Sequence, residues 1–166
     1  MIKDASLPPM VDKFSEEFAR YPLISLLDLF SGYDQHSLAP ESRDMIAFMT
    51  LFGLMRMAML PQGYTNGVQV FDRVVRKILQ EQIAQGRAKP FIDDVGVKPF
   101  SWSFYRVDGE FEEVMLGVSK YVMEAIISLD EILVDIEHSG GTILEEKSEF
   151  LKDGIKMVAF ICGSKG

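Results

Sequence analysis

Two adjacent aspartates, Asp93 and Asp94, stand between the apolar residues 91–92 and 95–97. Neighbouring carboxylates repel, and a hairpin tip ordinarily carries Asn-Gly or Asp-Gly, which accept positive φ angles. Taken alone the pair reads as a turn directed to solvent. It also reads as a site for a divalent cation, because a hard cation offsets the repulsion and takes oxygen ligands. Such a site needs a further carboxylate from a neighbouring element. Asp28 is the candidate: it lies at the end of the apolar run 23–29, where a charge in a half-buried position is costly. By itself it is a strand-end residue turned to solvent. If its strand lies beside the 93–94 hairpin, three carboxylates converge where two Mg²⁺ ions could sit, as two-metal phosphoryl or nucleotidyl transfer requires. Spacing alone does not establish that they meet.

The elements that would position these residues follow from periodicity. Residues 1–22, with Pro8, Pro9 and Pro22, read as an extended lead-in to a buried strand over 23–29. Apolar stretches 45–52 and 54–60 around Gly53 suggest a hairpin. Phe71, Val74, Val75, Ile78, Leu79 and Ile83 recur at the helical period, which predicts a helix over 66–85 with Thr65 or Asn66 as cap and Gly86 as stop. A second hairpin carries Asp93 and Asp94, and 99–112 reads as loop. A long helix over 113–138 shows a stripe from Val118 to Ile136 and ends at Gly140–Gly141. Short strands are expected at 142–144 and 155–162. The order β–ββ–α–ββ–α–ββ implies an α+β fold, an antiparallel sheet covered on one face by two main helices.

Composition bounds the alternatives. At 166 residues the chain fits a single domain, 1–166, with a core of its own. A hydrophobic fraction of 48% beside 25% charged residues reads as globular rather than disordered. No apolar run approaches the roughly 18 residues of a membrane span, so no membrane partner is expected. Residues 1–9 lack the features of a signal or transit peptide. Cys162 is the single cysteine, which excludes an internal disulfide and a cysteine zinc site and suggests a reducing, intracellular setting, cytoplasm or nucleus. The net charge of −8 is uneven: residues 108–153 hold thirteen acids against three lysines, whereas 56–98 hold seven basic residues against four acids. Nucleic-acid binding usually needs a basic surface, so composition alone speaks mildly against such a partner. His36 and His138 read as surface residues, Cys162 as a small buried hydrophobe, and the methionines clustered at 45–59 as core packing. Arg73, Arg76 and Lys77 read as the solvated face of their helix.

Six segments in order give the chain a resemblance to the reverse transcriptases of gypsy-like LTR retrotransposons. L-L-D-L-F-S-G-Y-D-Q at 26–35 looks like the first catalytic motif, and A-F-M-T-L-F-G-L at 47–54 resembles the hairpin after it. L-P-Q-G-Y-T-N at 60–66 is similar to the L-P-x-G-x-x-N segment, and F-I-D-D at 91–94 to the aromatic-x-D-D signature. G-G-T-I-L-E-E-K-S-E-F at 140–150 resembles the motif after the palm helix, and G-I-K-M-V-A-F-I-C at 154–162 the primer-gripping hairpin. The resemblance implies a palm domain, with 142–166 as the start of the primer-grip and thumb-proximal region. It implies that Asp28, Asp93 and Asp94 are catalytic and bind two Mg²⁺ ions, or Mn²⁺ as substitute, with the Leu29 carbonyl as a further ligand. Tyr33 would exclude a 2′-hydroxyl, Gln62 and Gly63 would meet the incoming nucleotide and template, and Lys147 would be a general acid toward pyrophosphate.

The implied activity is RNA-directed DNA polymerisation, with an RNA or DNA template, a primer and dNTPs as partners. Its alternative is a catalytically inactive remnant of a retroelement that binds metal or protein at most. Val68, Asp72 and Ile46 stand where the family commonly has Pro, Gln and Thr. Only 27 residues precede Asp28, and the chain stops just after the primer-grip segment. The expectation is therefore that most of the fingers, the thumb and the RNase H region lie outside this sequence and are supplied by missing regions or another chain.

Overall fold

The computed structural model describes residues 10–100, 112–157 and 160–163. Its centre is a four-stranded antiparallel sheet in the order β4-β5-β1-β8, built from β1 (Ile24–Asp28), β4 (Ala88–Phe91), β5 (Asp94–Val97) and β8 (Glu149–Lys152). Strand β1 lies inside the sheet and is buried on both faces from Ile24 to Leu27, as its unbroken apolar run requires. Alternation along β1 and β5 divides the core in two. Leu27, Val95 and Val97 face helices α3 (Gly67–Ile78) and α5 (Lys120–His138), meeting Phe71, Val75, Leu129, Ile132 and Ile136. Ile24 and Leu26 point the other way, into a second cluster with Phe14, Phe18, Ile155, Met157 and Cys162. The two expected helices do cover one face, and the fold class is α+β.

The other face is covered by elements that periodicity did not foresee. Helix α1 (Val11–Glu16) replaces extended chain within the expected lead-in; the opening residues 1–9 lie outside the described residues. The i,i+4 spacing of Phe14 and Phe18 sets both rings on one side, with centroids 5.2 Å apart, and both are fully buried. Gly96 gives Phe18 its seat on β5, since an added Cβ would fall 2.3 Å from the Phe18 ring. The hairpin of β9 (Gly154–Met157) and β10 (Phe160–Gly163) completes this layer.

Several boundaries moved for identifiable reasons. The helix expected over 66–85 breaks at the buried Leu79 (φ −95°, ψ 21°), and the short α4 (Gln80–Ala84) follows. The helix expected from 113 starts at Lys120, because Gly117 at φ 77° turns a small hairpin, β6 (Glu113–Met115) and β7 (Val118–Ser119). The loop expected over 99–112 falls mostly outside the described residues. No strand forms at 142–144; Ile143 makes an isolated bridge to Leu29, and β8 joins the main sheet instead. After the one-turn helix α2 (Pro40–Arg43), strands β2 (Ala47–Thr50) and β3 (Gly53–Arg56) form a hairpin apart from the main sheet. Met45, Met49, Met55 and Met59 are exposed among the described residues rather than packed in a core, and Leu51 and Phe52 at the hairpin tip are almost fully exposed.

Candidate active site

Pairing between β1 and β5 sets Asp28 directly opposite Asp94, at the end of the register that begins with Ser25 opposite Val97. By the same alternation both lie on the sheet face away from α3 and α5. Asp93 sits between β4 and β5, in a two-residue turn closed by the pairing of Phe91 with Asp94. Its carbonyl accepts the Leu29 N–H at 2.8 Å, which ties the turn to the end of β1. Ile92, the other turn residue, stands at φ 60°, a left-handed conformation that a β-branched side chain rarely adopts. Turns of this shape favour glycine there. Residues strained in this way cluster at functional sites.

The electrostatics follow from this packing. Burial first, then the like charges of Asp93 and Asp28, raise the Asp94 carboxyl from its ordinary 3.8 to about 6, with Lys147 opposing them. The Lys147 ammonium lies 3.8 Å from Asp28 Oδ2 and is itself exposed. Tyr33 is buried and stacks on Phe71 with centroids 4.6 Å apart and an interplanar angle of 22°. Its hydroxyl is pushed above its ordinary pKa by burial and then by the charge of Asp93, which brings it into the field of the cluster. Asp28, Asp93, Asp94 and Lys147 thus gather at one place, while Tyr33 packs on the α3 side within the field of Asp93. Gln62 and Gly63 are exposed in the turn before α3, and among the described residues neither is hydrogen-bonded to the carboxylates. Also among the described residues, no three His, Cys, Asp or Glu side chains form a ready metal cage.

Comparison with solved structures gives the fold its relatives. A foamy viral protease-reverse transcriptase in complex with double-stranded DNA superposes with a TM-score of 0.78 over 99% of this chain, at 17% identity. The fold is that of a reverse transcriptase. A second foamy viral protease-reverse transcriptase, in complex with an RNA/DNA hybrid, gives a TM-score of 0.75 over 98% of the chain at 18% identity. This chain covers 25% and 19% of those two chains. In sequence it is 23% identical over 165 residues to the retrovirus-related Pol polyprotein from transposon gypsy of Drosophila melanogaster. That match takes in 99% of this chain and 14% of the polyprotein's length. No family model matches the chain.

On this reverse-transcriptase fold some residues stand out that sequence reading passed over. Phe71 was legible as an apolar helix position but not as the partner of Tyr33. Gly32 admits it, for an added Cβ would lie 2.4 Å from the Phe71 ring. His36 is half-buried rather than a surface residue: its ring centroid is 5.6 Å from that of Phe71, and burial lowers its pKa. A cavity of about 630 Å³ is lined by Leu29, His36, Phe71, Ile136 and Thr142 among others, and by none of the carboxylates. Ser148, beside Lys147, hydrogen-bonds the backbone of Asp28, a contact across 120 residues that no local pattern announces. No helix among the described residues is long and apolar enough to cross a membrane.

Proposed function

We propose that this chain is the palm of an RNA-directed DNA polymerase from a retrotransposon polyprotein, working by two-metal nucleotidyl transfer. The observation that carries the reading is the register that sets Asp28 opposite Asp94, with Asp93 at the adjoining turn. The donor set fits Mg²⁺. It consists of oxygen donors alone, and a hard cation would relieve the like-charge repulsion that contributes to raising Asp94. Mg²⁺ is commonly held by one or two carboxylates with substrate phosphates completing the shell, so a closed protein cage is not required. Asp28, Asp93 and Asp94 would hold the ions, with the Leu29 carbonyl as a further ligand and Mn²⁺ as a substitute. When bound, the metal pair supplies charge neutralisation for the attacking and leaving oxygens of an in-line displacement.

The chain's own residues do the rest. Strands β1 and β5 hold two of the carboxylates on neighbouring backbones, so that the primer 3′-hydroxyl and the dNTP α-phosphate would be presented to a fixed site. The Tyr33 ring, braced by Phe71, would close the space that a ribonucleotide 2′-hydroxyl needs. Lys147 would give a proton to the departing pyrophosphate. Gln62 and Gly63, in the turn before α3, would meet the incoming nucleotide and template. The solved relatives' complexes with double-stranded DNA and an RNA/DNA hybrid support nucleic acid as the partner.

The test is a Mn²⁺ titration of the purified chain, followed by electron paramagnetic resonance, beside Asp28→Asn and Asp93→Asn. Millimolar-range binding that both variants lose is expected. Binding unchanged in both would overturn the metal site. Primer extension by residues 1–166 alone should be weak or absent, and robust templated synthesis would show that the chain grips its substrates unaided.

A further inference from the structure

We infer that Ser148 is a positioning residue for Asp28, an assignment that rests on the metal-site reading above. Strand β8 pairs with β1 through Ile24 opposite Lys152 and Leu26 opposite Glu149, with an irregularity between them. Continued toward the end of β1, this ladder would offer Asp28 a backbone partner near residue 147. It cannot, because Glu145–Lys147 are wound into a 3₁₀ turn. The Ser148 hydroxyl takes the vacated role: Asp28 N–H donates to Ser148 Oγ at 3.1 Å. The same hydroxyl donates to the Leu144 carbonyl at 2.8 Å, and the Leu144 N–H returns to the Asp28 carbonyl at 2.8 Å. Asp28 is thereby held through both its backbone groups on the β8 side, while β5 flanks it on the other. The closed turn also carries Lys147, whose ammonium reaches the Asp28 carboxylate at 3.8 Å.

A second hydroxyl does the same at the irregularity itself, where Leu151 at φ 50° donates its N–H to Ser25 Oγ at 2.9 Å. That bond serves the strand. The Ser148 bond serves the carboxylate, because it fixes the backbone from which the Asp28 side chain springs. The rest of β1 is secured without it, since Ile24 and Leu27 are fully buried in the two cores. Loss of the hydroxyl therefore leaves the strand in place but takes away one of the two bonds that hold its last residue on the β8 side. Outer-shell groups of this kind typically hold about 10–100-fold of metal affinity.

The test is Mn²⁺ binding by the full chain, measured by electron paramagnetic resonance for wild type, Ser148→Ala, Ser148→Thr, Ser148→Cys and Asp28→Asn, with thermal unfolding recorded in chelator. Ser148→Ala should weaken binding about tenfold or more. Ser148→Thr keeps the hydroxyl and should restore wild-type affinity. Ser148→Cys, nearly isosteric but a poor hydrogen-bonding group, should fall between them. A Ser148→Ala protein that binds Mn²⁺ as wild type does, whatever its melting temperature, overturns the assignment. If that variant does not fold, wild-type affinity in Ser148→Cys overturns it equally. The controls separate the two levels. Binding lost in Asp28→Asn but kept in Ser148→Ala removes only the role of Ser148, whereas binding kept in both removes the metal site with it.

Discussion

Replacing Asp94 by asparagine in the metal-free protein isolates the cost of gathering the carboxylates. Burial, then Asp93 and Asp28, raise the Asp94 carboxyl from 3.8 to about 6, which means that the fold prefers it protonated. The contribution to stability is therefore fully present below pH 3.8, and it is lost as pH rises through about 6. At about 1.4 kcal/mol for each tenfold change in proton affinity, the rise caps the loss at about 3 kcal/mol. The side chain is half-exposed, and solvent screening reduces the figure to about 1–2 kcal/mol. Asparagine keeps the shape and cannot ionise. At pH 7 in chelator, Asp94→Asn should exceed wild type by about 1–2 kcal/mol, or about 2–8 °C in melting temperature for a chain of this size. Near pH 4 the advantage should vanish, because wild type is then largely protonated at this position. Thermal unfolding from pH 3.5 to 7.5 reads both limits. A variant less stable than wild type at pH 7, or a difference constant across the range, would refute the argument that repulsion and burial dominate here.

Three further outcomes test the scaffold around the cluster. Ile92→Gly should be about 1 kcal/mol more stable than Ile92→Ala in urea unfolding, because both remove the side chain and only glycine relieves φ 60°; equal stabilities would mean that the turn is unstrained. Gly96→Ala should cost about 1–3 kcal/mol, since its Cβ would meet the Phe18 ring at 2.3 Å and Phe18 is fully buried with nowhere to retreat. No change in unfolding midpoint would show that the second core has slack. On the proposed reading, in an active polymerase that contains this chain, Tyr33→Val should raise incorporation of ribonucleotides relative to deoxyribonucleotides. An unchanged ratio leaves Tyr33 as a packing partner of Phe71.

What the sequence disclosed depended on whether the deciding interaction was local. The buried strand β1 was legible because both of its faces enter a core, which writes an unbroken apolar run. Helix α5 was legible from its stripe, although the sequence did not show that Gly117 would turn a hairpin before it. Helix α1 was hidden by the prolines around it, and its two phenylalanines are too few to display a period. The break at Leu79 was hidden because Leu79 and Ile83 remain apolar on both sides of it. The aspartates were visible as types; their meeting was not. That depends on the register of Asp28 against Asp94, set by strands more than sixty positions apart. Ser148 is the extreme case, an ordinary serine whose role exists only because β8 gives way to a 3₁₀ turn beside it.

Charge bears on what this fold can bind. The sequence concentrates basic residues over 56–98, which could suggest a stripe for phosphates. In the fold those charges are largely engaged. Arg56 pairs with Asp44, Arg76 with Asp72 at 2.6 Å, Arg87 with Glu131 and Lys89 with Glu17. Lys98 lies over the rings of Tyr21 and Phe18, and burial lowers its pKa. Cations committed to neighbouring carboxylates release few counterions when a duplex approaches, so they add little to its affinity. With a net charge of −8 behind them, the long-range field opposes a polyanion as well. On the proposed reading the carboxylate cluster would hold the metal, and side chains other than these cations would hold the nucleic acid. That reading makes metal binding and duplex binding separable, so a metal site measured on this chain alone would say nothing against a polymerase whose grip resides elsewhere.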